Sequence, residues 1–93
     1  MGANFGFTRI GDSHTPPLEL KDKFWELYNY DEIDGGEYSG GWNTLAGVEI
    51  VDKQFETTEE AREWLENNCK KWSDALVVEV IDDGFYMGGI RAE

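Results

Sequence analysis

Two hydrophobic periods alternate along this chain, and they divide it into strands and helices. Residues 4–10 set Phe5 and Phe7 on one face at a spacing of two, which predicts a strand. Residues 46–52 repeat the pattern, with Val48 and Ile50 on one side and Glu49 and Val51 on the other. Residues 76–81 are apolar on nearly both faces, with Glu79 the interruption, so this strand belongs in the middle of a sheet. Asp82-Asp83-Gly84 reads as a turn, and Asp83-Gly84 suits a tight hairpin leading into a last strand over 85–90.

The helical period is clearest over 57–71. Ala61, Trp64, Leu65, Asn68, Cys69 and Trp72 fall on one stripe. Thr57 and Glu60 have the spacing of a capping box, in which hydroxyl and carboxylate each satisfy a free backbone N–H at the helix start. Lys70 and Lys71 would then sit at the negative end of the helix dipole. Residues 18–30 carry two competing signals. Leu20, Phe24 and Leu27 keep helical spacing behind Pro17, a favoured first residue of a helix. The run from Phe24 to Tyr30 is also rich in strand formers, and helix is the favoured reading.

Residues 11–17, with the Pro16-Pro17 pair, read as a loop. Residues 31–44 read as a longer one, because glycine at 35, 36, 40 and 41 makes regular structure costly in backbone entropy. The predicted order is β–α–β–α–β–β. It implies one α+β domain over 1–93, a two-layer sandwich. Its sheet is mainly antiparallel with about four strands; the 57–71 helix lies across it and a second helix covers 18–30.

Charge changes the picture more than composition does. Twenty acidic residues oppose eight basic ones, a net of −12. Residues 31–60 hold nine acids and a single base, Lys53. Such a chain repels nucleic acid and anionic membranes, and a basic protein surface is its electrostatic complement. Aromatic residues make up 14% of the chain, which argues for a packed core despite the charge. The lone Cys69 excludes an internal disulfide and fits a reducing, cytoplasmic setting. No segment approaches the roughly 20 apolar residues of a membrane span. Met1 to Phe5 lack the basic and apolar regions of a secretory signal.

Candidate chemistry is thin, and the chain reads as a non-enzyme without cofactor or metal. One Cys and one His, Cys69 and His14, do not make a zinc site. Cys69 falls on the apolar stripe, where a thiol acts as a small hydrophobe. Asp31, Glu32, Asp34 and Glu37 lack the alternation of a calcium loop. Glu79 is the best-placed carboxylate for acid–base work, with a solvated position on the strand the simpler reading. The Glu59, Glu63, Glu66 face of the second helix is interleaved with Arg62, Lys70 and Lys71 and reads as ordinary solvated surface.

The acids that stand out are those mixed with aromatics, because aromatic anchors dominate interface energetics. The candidate partner-binding set is Asp31, Glu32, Asp34, Glu37, Tyr38, Trp42, Glu49, Asp52, Glu56 and Glu59. The leading reading is a small protein-binding domain that competes with nucleic acid for a basic, nucleic-acid-binding protein. In size, charge and the lack of a catalytic set it resembles, in composition alone, the small inhibitors that bacterial viruses direct against host defence or transcription. The alternatives are an assembly subunit forming a homo-oligomer and, last, a small carboxylate or Mg²⁺-dependent enzyme.

Overall fold

A computed structural model describes residues 3–34, 42, 45–70 and 73–92. Strand β1, Ala3–Gly11, turns Phe5 and Phe7 to one face of the sheet and Ile10 to the other. The loop after it is tied by its own side chains. His14 N–H donates to Asp12 Oδ1 at 2.9 Å, and the Thr15 hydroxyl donates to the same oxygen at 3.1 Å. Helix α1, Pro17–Asp34, follows. Pro17 holds its first position, where a missing N–H costs nothing.

The helix runs four residues further than the 18–30 reading. Asp31, Glu32, Ile33 and Asp34 continue it, where a loop was expected from 31. None of these four breaks a helix; the glycine pair at 35 and 36 is the first strong breaker in the sequence. The rest of the expected loop lies outside the described residues, except Trp42. Leu45 N–H donates to the Trp42 carbonyl at 3.2 Å, and both side chains are buried.

Strand β2, Val48–Phe55, leads into helix α2, Thr58–Asn68. Thr57 caps the helix in extended conformation, its hydroxyl accepting from Glu60 N–H at 3.2 Å. That is the Thr half of the expected box. The helix is shorter than 57–71. Cys69 already has extended backbone, φ −80 and ψ 149, so Lys70 lies past the end. The Asn68 amide donates to the Trp64 carbonyl at 2.7 Å, a side-chain bond that competes with the next backbone turn. Asn68 is therefore exposed and does not join the buried stripe. Trp72, also placed on that stripe, and Lys71 lie outside the described residues.

Strands β3, Ala75–Val80, and β4, Gly84–Ala92, form a hairpin. The turn is Ile81-Asp82-Asp83, with Asp82 in the left-handed region at φ 62 and Asp83 N–H donating to the Val80 carbonyl at 3.1 Å. Gly84, at φ 146, packs against the Gly11 carbonyl where a Cβ has no room.

The sheet order is β1-β4-β3-β2. β1 and β3 both run antiparallel to β4, while β2 runs parallel to β3 through the α2 crossover. The α+β class and the four-stranded, mainly antiparallel sheet thus follow the sequence reading, and β3 is internal as its apolar pattern implies.

The helices take opposite faces. Leu20 and Phe24 of α1 pack with Ile10, Ala75, Val77 and Met87. Ala61, Leu65 and Cys69, from α2 and its cap, pack with Val78 and Val80. Alternate residues of β3 therefore serve two cores, which is why its sequence is apolar on both sides. The second helix adds a third layer to the sandwich.

Candidate functional site

The described acids concentrate along one edge of the sheet and over the helix that follows it. β2 is an edge strand, and Glu49 and Asp52 on it are exposed, as is Glu56 just beyond. Acids on an edge strand also keep it from pairing with foreign strands, as does the break in register between Ile50 and Gln54. The Thr57 cap then turns the chain into α2. Leu65 and Ala61 fix the buried side of that helix, so Glu59, Glu63 and Glu66 form its outward ridge at i, i+4, i+7. At 1.5 Å of rise per residue they span about 10 Å of axis. Arg62 flanks them, and together with Asn67 these residues line a shallow depression of about 260 Å³.

Neutralisation is sparse here. Between described residues the ion pair is Arg9 to Asp83, 3.3 Å, at the β3–β4 turn, and it includes none of these acids. Glu66 and Lys70 do not pair, because the helix ends before Lys70 completes the i, i+4 geometry. Arg62 lies among the α2 acids without an ion pair to a described one, and Lys53, the base of β2, is engaged otherwise. Its ammonium lies 5.5 Å from the centroid of the Trp64 ring and 5.9 Å from that of Phe55.

The remaining predicted site residues are divided by the fold. Asp31, Glu32 and Asp34 belong to the last turn of α1, which contains no base. Negative charge at a helix C-terminus opposes the dipole and costs stability. Glu37 and Tyr38 lie outside the described residues. Trp42 is a core residue, 6% exposed, packed over Gly89 with the Arg91 guanidinium 5.1 Å from its ring centroid. It is not available to a partner, which corrects its place in the candidate set. Of that set, Glu49, Asp52, Glu56 and Glu59 are exposed along β2 and into the first turn of α2.

Several exposed or engaged residues were not singled out from the sequence. Leu18 and Trp25 are exposed seven residues apart on α1, and Tyr30 is exposed near its end. The Leu20, Phe24 and Leu27 stripe read from the sequence is the one that packs on the sheet, and Leu18, Trp25 and Tyr30 lie off it. The Lys53, Phe55, Trp64 group had one readable signal: Lys53 and Phe55 are two apart on a strand.

Reactive groups do not converge. His14 sits in the exposed loop after β1, while Cys69 is buried under α2 in the other core. Burial pushes the Cys69 thiol up to about 11, the reverse of an activated nucleophile. The backbone N–H of His14, then the Thr15 hydroxyl, hold Asp12 below the usual carboxylate range. Glu79 is half-buried and accepts from Gln54 Nε2 at 2.8 Å, a cross-strand pair. An open cleft of about 620 Å³ between β1 and α1 is lined by Arg9 and Lys23 together with Asp12, Glu19, Asp22 and Glu26. Among the described residues no three His, Cys, Asp or Glu side chains are grouped to hold a metal ion, and no helix is long and apolar enough to cross a membrane.

Compared with protein-family models, curated proteins and solved structures, the chain finds no match.

Proposed function

We propose that this domain binds a basic protein surface through the acids of β2 and α2, and that the surface is one built for nucleic acid. The observation carrying the reading is the exposed run of seven acids from Glu49 to Glu66, none in an ion pair with a described residue, against two bases: Arg62 on α2, and Lys53, which is held over aromatic rings instead of over carboxylates. Along α2 the ridge offers one carboxylate per roughly 5 Å of axis. One strand of duplex DNA offers a phosphate every 3.4 Å or so. The densities are close enough for Lys and Arg side chains spaced for phosphates to reach these carboxylates. The single buried thiol fits a reducing compartment such as the cytoplasm.

The test is capture of partners from the native host on the immobilised protein, alongside the variant Glu59→Gln/Glu63→Gln/Glu66→Gln. A basic partner should be retained by the wild type, released steeply between about 50 and 200 mM salt, and displaced by DNA. The triple variant should hold it at least tenfold more weakly. Salt-insensitive retention that DNA does not disturb would remove nucleic-acid competition; full retention by the triple variant would remove this surface.

A homo-oligomer docked through α1 has the exposure of Leu18 and Trp25 in its favour. The charge of −12 on each copy works against it. Light scattering that reports a monomer at all concentrations disposes of it.

A further inference from the structure

The Phe55 and Trp64 rings stand 6.0 Å apart, inclined at 45°, on the α2 side of the sheet. Both are half-buried against the Leu65 and Val78 core, so their positions are set by packing. They open on a surface depression of about 300 Å³ whose rim carries Glu60 and Glu63. Two aromatic faces with carboxylates beside them make a site for a cation, since ring quadrupole and negative charge attract it together. The chain supplies a stand-in occupant, the ammonium of Lys53, over both rings.

We propose that this cradle receives an arginine side chain of the basic partner, and that Lys53 is the resident it displaces. The inference rests on the proposed binding of a basic surface and names the anchor point within it. Lys53 is exposed and makes no ion pair with a described residue, so it can leave the rings without breaking one, and the incoming side chain covers the faces it uncovers. An exposed contact of this kind is worth a factor of about two to five in an equilibrium constant. An incoming guanidinium gains more, because it is planar, stacks on rings and gives up its water more readily than an ammonium does. While Lys53 stays on the rings, the carboxylates of β2 and α2 keep their charge for the partner. Once displaced, it leaves the aromatic anchor and the acidic rim acting on the same cation.

The test uses a short Gly-Arg repeat peptide and its Gly-Lys counterpart at low salt, with binding read by calorimetry and by the Trp64 indole N–H resonance. The arginine peptide should bind more tightly than the lysine peptide and shift that resonance. Lys53→Gln should bind it about two- to fivefold more tightly, beyond any gain from Lys21→Gln, which removes the same charge on the other face of the sheet. Trp64→Leu should lose a similar factor and Trp64→Phe should keep most of it. Should circular dichroism show Trp64→Leu unfolded, Phe55→Leu replaces it. If the peptide binds but the indole resonance stays still, Lys53→Gln matches Lys21→Gln, and the leucine variant equals the wild type, the cradle is wrong and the acidic surface survives. If the peptide binds no variant at low salt, both fall.

Discussion

The Tyr86 hydroxyl donates to Asp83 Oδ2 at 2.8 Å, and that carboxylate gathers three elements around the β3–β4 turn. The Thr58 hydroxyl at the start of α2 reaches the same oxygen at 3.3 Å. Arg9 of β1 approaches Oδ1 at 3.3 Å and donates from Nη2 to the Asp83 backbone carbonyl at 2.8 Å. The side chains of the ion pair are 48% and 38% exposed, so the charge itself is largely screened and the hydrogen bonds matter more. Asp83→Ala should cost about 1–2 kcal/mol and lower Tm by roughly 5–15 °C. Asp83→Asn, which keeps an acceptor for Tyr86, should cost less. Thermal melts of both variants check this, and an alanine variant melting with the wild type would show the cluster to be inert.

Gly88 lies directly beneath α2. A Cβ there would meet Leu65 Cβ at 3.0 Å and Phe5 Cε1 at 3.2 Å. Its neighbour Gly89 faces the other core, where a Cβ would meet the Leu45 Cδ1 methyl at 2.6 Å. The two clashes differ in kind. Leu65 Cβ is fixed to the helix backbone, so α2 itself must move, whereas the tip of Leu45 can rotate away. Gly88→Ala should therefore destabilise by about 1–3 kcal/mol, and Gly89→Ala by less. Urea denaturation ranks them; the opposite order would mean that α2 does not press on the sheet as described.

Alkaline pH should weaken the fold through two groups. Burial raises the Cys69 thiol to about 11, and the bond to Asp83, with burial second, raises the Tyr86 phenol. Each holds its proton more tightly folded than unfolded. Their contribution is complete below the ordinary thiol value near 8.5 and declines as pH climbs towards 11. Tm should fall over that window, less steeply in Tyr86→Phe. At pH 8 a thiol at about 11 is ionised in roughly one molecule per thousand, against about a quarter for an ordinary one. Thiol reagents should thus label Cys69 far more slowly in the native protein than in urea. Equal rates would contradict its burial.

Helix α2 and strand β3 were legible in the residues because their signals are local. A cap at Thr57, buried positions at Ala61 and Leu65, and an apolar run from Leu76 to Val80 each depend on neighbours within a turn or a pleat. The concentration of acid between residues 31 and 60 was legible for the same reason, as a property of composition. Helix α1 was half legible: Leu20, Phe24 and Leu27 read as its inner stripe and do pack on the sheet, while the strand formers from Phe24 to Tyr30 competed with that reading and its last turn read as loop.

What tertiary structure alone decided lies between residues distant in the chain. Trp42, in a glycine-rich stretch that reads as loop, is buried because Gly89 leaves it a slot and Arg91 lies along its ring. Lys53 is taken from the surrounding carboxylates because α2 folds back to set Trp64 beside Phe55. Asp83 becomes a junction because β1 brings Arg9 to it from the far end of the sequence. Period and capping are set by the backbone's own geometry over a few residues, and so they can be read in one dimension. Slots, perches and junctions need the strand order and the choice of face, which arise only when the sheet closes.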